Sequence, residues 1–100
     1  MTLSELRQWH IEQALRYYEL VVKCNRSLAT RALYTSMLSD YRAARFHEQA
    51  ANTVGAAMHL PIDDAYNHLR LEREAAFSYL KQFAEDRGIS FRNNGFDILR

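Results

Sequence analysis

Glycine and proline are nearly absent from this sequence of 100 residues, which holds three of the first and one of the second. A fold built from strands and tight turns needs far more of that turn chemistry, so an all-β architecture is excluded. Cysteine occurs once, at Cys24, which rules out an internal disulfide and fits a reducing compartment. No apolar run approaches the ~20 residues of a membrane span. Neither sign of charge dominates: the net charge of +1 creates no global field toward nucleic acid or a membrane. The opening MTLSELRQ lacks the basic and apolar stretches of a secretory signal, so a cytoplasmic protein is expected. Lysine is scarce as well, with Lys23 and Lys81 the only two, so arginine carries most of the positive charge. Arginine suits planar recognition of carboxylate or phosphate, although codon usage is the favoured explanation of the bias.

Apolar residues at 48% and charged residues at 25% are ordinary for one globular domain. Three apolar stripes of helical period organise them. The first helix is expected over 3–24, with Leu3, Ile11, Ala14, Leu15, Tyr18, Val21 and Val22 on one face. Thr2 and Glu5 have the spacing of a capping box. Asn25-Arg26-Ser27 breaks the pattern, and a second helix follows over 28–59, read as continuous through the small-residue stretch around Gly55. Leu60-Pro61 is a stop signal, and Asp63 and Asp64 suit the positive end of a third helix over 62–87. Gly88 is a suitable left-handed terminator. Short links then imply an all-α, antiparallel three-helix bundle over residues 1–88. Residues 89–100 depart from it. Ile89, Phe91, Phe96 and Ile98 alternate around Asn94-Gly95, predicting a short C-terminal hairpin or extended tail.

No constellation for catalysis emerges. No glutamate is followed three residues later by histidine, so the diiron bundle pattern is missing, and His47-Glu48 lacks the second histidine of a zinc protease. Cys24 sits near a helix C-terminus, where the dipole opposes a thiolate. No glycine-rich phosphate loop is present. The expectation is a non-enzymatic chain with neither metal nor cofactor.

Two charges interrupt apolar stripes, Asp40 in the second helix and Arg73 in the third. Folding the helices against each other places Asp40 near His10, and Arg73 near Glu48 or His47, as register-fixing contacts. The first helix also carries a second apolar sector of Leu6, Trp9, Tyr17, Leu20 and Cys24. Its apolar arc thus covers about two-thirds of the circumference, beyond the usual ~100°. Either this helix packs against both others, with Trp9 covering an end of the core, or the sector is an interface, since aromatic residues and arginine are the usual anchors.

The function expected is therefore a helical protein–protein interaction module, of the kind that phages and mobile elements encode to inhibit or modulate a host enzyme. Its partner is another protein or a second copy in a homodimer. Candidate contact residues are Leu6, Trp9, Tyr17, Leu20, Arg31, Arg42, Arg45, Phe91 and Phe96. A nucleic-acid-binding or regulatory protein is the alternative, using Arg31, Arg42 and Arg45 with Tyr34, Tyr41 and Phe46 on the second helix. Direct nucleic-acid contact is the weaker of the two, because Asp40 and Glu48 offset these arginines.

Overall fold

The computed structural model describes residues 1–23 and 31–89. They form three helices, α1 (Leu3–Val22), α2 (Arg31–Ala57) and α3 (Asp64–Asp86), with no strand among the described residues. Each helix contacts the other two, and cross-helix pairs run antiparallel from α1 to α2 and from α2 to α3. The expected three-helix bundle is the fold. The hairpin read at 89–99, with Phe91 and Phe96, lies outside the described residues apart from Ile89, as do residues 24–30 with Cys24.

The helix ends are set by local chemistry. Thr2 Oγ1 accepts from the Glu5 amide at 3.1 Å, and the Glu5 carboxylate accepts from the Thr2 amide at 3.3 Å, completing the capping box. The third helix starts two residues later than expected. Asp63 caps it by accepting from the Tyr66 amide at 3.0 Å, so Pro61 and Ile62 stay outside and Ile62 is exposed rather than core. At the other end Gly88 has φ +64°, the Gly88 amide donates to the Glu85 carbonyl and the Ile89 amide donates to Ala84. This is a Schellman motif, and Ile89 folds onto the core as its hydrophobic contact. The end of α2 repeats the motif with His59 at the left-handed position (φ 58°), its amide bonded to Ala56 and that of Leu60 to Gly55. The second helix is continuous through Gly55, whose missing side chain leaves room for Arg7 to cross α2. Arg7 Nη2 then reaches both Asp63 oxygens, at 3.0 and 2.9 Å, tying the start of α1 to the cap of α3.

Buried positions follow a three–four spacing in each helix. They are Ile11, Ala14, Tyr18 and Val21 in α1, and Tyr34, Met37, Tyr41, Ala44, Glu48 and Ala51 in α2. In α3 they are Leu69, Ala76, Leu80 and Phe83, and Leu38 of α2 and Ala84 of α3 are buried beside this line. That period makes a knobs-into-holes seam. Tyr34 stacks on Phe83 with centroids 6.0 Å apart, and Tyr18 meets Tyr41 edge-on at 5.9 Å. Leu3, placed in the first stripe from sequence, is exposed because it lies beyond the end of this seam.

Candidate functional site

Two side-chain assemblies stand out, one on each side of α2. The first is on the α1–α2 face. His10 and His47 meet through their Nδ1 atoms at 2.9 Å, one ring donating and the other accepting. Around His47 sit Tyr17, nearly parallel to it at 5.9 Å, Phe46 at 5.2 Å and Trp9 edge-on at 5.4 Å. Trp9 also packs on His10 at 4.9 Å. Burial and the neighbouring His10 hold the His47 imidazole below its ordinary pKa, which favours the neutral ring. The ring cluster is half-open: Tyr17, His10 and His47 are partly buried, whereas Trp9 is 44% and Phe46 64% exposed. Leu20 lies three turns along α1 on the line of Trp9 and is 47% exposed.

The second assembly is a buried charge cluster. Glu48 is 1% exposed. Its Oε1 accepts from the Tyr18 hydroxyl at 2.5 Å and from Arg45 Nη1 at 2.9 Å, and its Oε2 accepts from Arg73 Nη1 at 3.0 Å. All three helices therefore converge on one carboxylate. Burial, reinforced by the Glu48 contact, pushes the Tyr18 phenol far above its usual range, so it stays protonated and donates. Burial opposes the charge on Arg45, but the hydrogen bond and charge of Glu48 outweigh it and hold the guanidinium protonated.

The expected Arg73–Glu48 contact is present. The expected Asp40–His10 contact is not formed, since His10 faces His47. The pivot of the α1–α2 hairpin had been set at residue 26, whereas the observed pairs His10–His47 and Tyr18–Tyr41 centre two to four positions further along the chain. Asp40 is half-buried instead, and burial alone raises its carboxyl pKa.

Of the contact residues read from sequence, Trp9 and Leu20 are exposed, and Leu6 and Tyr17 are partly buried. The packing within the bundle thus leaves the outer sector of α1 accessible. Arg42 is exposed on α2, while Arg45 turns inward to Glu48. The side chain of Arg31, with Phe91 and Phe96, lies outside the described set. Tyr34 and Tyr41, read as part of an outer arginine–aromatic face, are core residues at 1% exposure, because both fall on the three–four seam. Sequence reasoning also missed the His10–His47 pair and the burial of Glu48. The seam itself was the available signal, since position 48 continues the spacing of 34, 37, 41 and 44.

Among the described residues no three of histidine, cysteine, aspartate or glutamate gather as a metal ion requires, and His10 and His47 supply two ligands at most. No helix of the described residues is long and apolar enough to cross a membrane. No family model, curated protein or solved structure matches this chain.

Proposed function

We propose that this chain is a non-enzymatic protein-interaction module whose docking face is the aromatic–imidazole patch of α1 and α2. One observation supports the reading above the others: Trp9 and Phe46 remain 44% and 64% exposed while flanking a half-buried histidine pair. Large rings left in water beside a preorganised support are the residues that anchor protein interfaces. Leu20 and Tyr17 extend the surface along α1. The partner is another protein; a host enzyme modulated by a phage or mobile-element product is the narrowest form of the proposal, and a homodimer through the same face is its simplest.

Capture from lysate of the native host, by immobilised wild-type chain and by W9A/F46A, tests the proposal. A protein retained by the wild type at near-stoichiometric yield and lost by the variant, with helical content unchanged, is the expected result. Retention of the same protein by W9A/F46A would overturn it. Sedimentation equilibrium of both proteins separates the homodimer from a hetero-partner. The nucleic-acid alternative is weakened because Arg45, one of its three arginines, is engaged by Glu48. Absence of salt-sensitive binding to single-stranded DNA or RNA would dispose of it.

A further inference from the structure

The outer face of α1 carries a pattern that the bundle itself does not use. Glu5, Trp9, Glu12, Arg16, Leu20 and Lys23 are all exposed. At about 100° per residue they fall within an arc of about 80°. The arc lies opposite the buried line of Ile11, Ala14, Tyr18 and Val21, so α2 and α3 leave it open. Along the helix it reads acid, ring, acid, base, aliphatic, base. The same line read backwards sets every charge against its opposite and Trp9 against Leu20. Residues 5 and 23, 9 and 20, and 12 and 16 all centre at about position 14.

The central charges are available for such a contact. Glu12 and Arg16 stand one turn apart, at the spacing of a helical ion pair, yet they do not bond to each other. Glu12 accepts from Gln8 Nε2 at 3.2 Å, and Arg16 has no hydrogen bond or ion pair among the described residues. Lys23 by contrast is held by Glu19, and the Glu5 carboxylate by the Thr2 amide, so this outer pair matters less. Trp9 and Leu20 lie on one edge of the arc. Phe46, 64% exposed, adjoins that edge through its contacts with His10 and His47.

We infer that α1 docks antiparallel on α1 of a second copy of this chain, about a twofold axis level with position 14. The inference rests on the reading of the Trp9–Phe46 patch as a docking face, and it names the occupant. In an isologous contact every pair occurs twice. Glu12 meets Arg16 of the second copy, and Trp9 comes level with Leu20 of the second copy. A twofold axis lying between antiparallel helices keeps like edges together. The rings and leucines therefore meet on one side and the charges on the other. Parallel, in-register pairing would set Glu12 against Glu12 and Arg16 against Arg16, so like charges exclude it. Self-complementarity of this kind is what a twofold contact requires and a contact with an unrelated partner does not.

Sedimentation equilibrium of the full chain tests the inference, at loading concentrations from about 5 to 500 µM, which span moderate to weak dimers. The wild type should dimerise. E12R and R16E should each weaken the dimer by at least about tenfold, because one reversal places two like-charge contacts across the axis. An equimolar mixture of E12R and R16E should associate as the wild type does, since mixing restores opposite charges at both contacts. The double variant E12R/R16E should recover for the same reason. Both positions are exposed, so circular dichroism should show unchanged helix in every variant. W9A should weaken the dimer by roughly tenfold, the scale of an aromatic anchor. A wild-type dimer indifferent to E12R and R16E would overturn the inference, as would a mixture no tighter than either variant alone. A chain monomeric throughout the range would overturn it too. If W9A/F46A then still loses a lysate protein that this monomer retains, the docking face stands with another occupant. Failure of the docking face itself would show as a dimer indifferent to W9A/F46A, which overturns both.

Discussion

Replacing Glu48 with alanine should be the most damaging single substitution in the bundle's polar interior. The carboxylate accepts from Tyr18, Arg45 and Arg73, one donor from each helix. Glu48→Ala removes the carboxylate that pairs with the Arg45 guanidinium, whose side chain is 12% exposed. Breaking a buried ion pair by removing one partner costs about 3–5 kcal/mol. Arg73, with 30% side-chain exposure, recovers some hydration and adds less than Arg45 does. Domains of this size hold only about 5–15 kcal/mol of net stability, so the loss is a large share of the total. Converted at about 4–8 °C per kcal/mol for a domain of this length, the melting temperature should fall by at least ~12 °C. Tyr18→Phe removes a neutral donor while Arg45 still satisfies Oε1, so about 1.5 kcal/mol is expected. Glu48→Gln keeps the volume and an acceptor for Tyr18 but loses the charge, and should fall between the two. Urea denaturation followed by far-ultraviolet circular dichroism at pH 7 measures all three. Because the Glu48 and Arg45 side chains are 2% and 12% exposed, their pairing is screened little by salt, and the order should survive 1 M NaCl. A Glu48→Ala variant within about 1 kcal/mol of wild type, with unchanged denaturant slope, would refute the argument that this carboxylate fastens the three helices.

Three further outcomes follow from separate parts of the bundle. His59→Gly should raise stability by about 0.5–1 kcal/mol, since the left-handed φ of 58° strains a residue with a side chain and glycine adopts it freely; a fall in melting temperature would contradict this. Tyr34→Phe should be neutral or stabilising by up to about 1 kcal/mol, because its hydroxyl is buried with no hydrogen-bond partner among the described residues; a clear loss in urea denaturation would show that the hydroxyl is satisfied. Acidification should weaken the fold through His47: its folded pKa lies below the unfolded value of about 6.5, so stability is full above that pH and is lost as pH falls toward the folded value. Stability measured at pH 7 and 5.5 should therefore drop more in wild type than in His47→Phe, and equal drops would exclude the histidine pair as the cause.

What could be read from the sequence divides along a physical line. Helix extents and ends were legible to within a few residues because they depend on neighbours in the chain. Thr2 and Glu5 cap α1 by contacts three residues apart, and Gly88 ends α3 by supplying a positive φ. The Arg73–Glu48 pairing was legible too, since α2 and α3 are joined by a short, proline-marked turn that fixes their register. The α1–α2 register was not. His10–His47 and Tyr18–Tyr41 centre two to four positions beyond residue 26, so a pivot placed there mispaired His10 with Asp40 instead of His47.

The candidate site was harder to read than the fold because the ranking of residues by polarity hides a charged core position. Glu48 was taken as a flank to Arg73, yet the spacing 34, 37, 41, 44, 48 and 51 on α2 places it squarely in the seam. The same spacing draws Tyr34 and Tyr41 inward, leaving Phe46 and Arg42 as the outward remnant of an arginine–aromatic face. One helix thereby separates two surfaces of different chemistry. His47, adjacent to Glu48 in sequence, turns to the aromatic patch on α1, while Glu48 holds Arg45 and Arg73 on the side toward α3. A substitution at His47 should accordingly alter the patch and spare the Glu48 cluster, and one at Arg73 should do the reverse. Glu48→Ala should therefore loosen the fold, whereas Trp9→Ala should leave it intact, because Trp9 is 44% exposed.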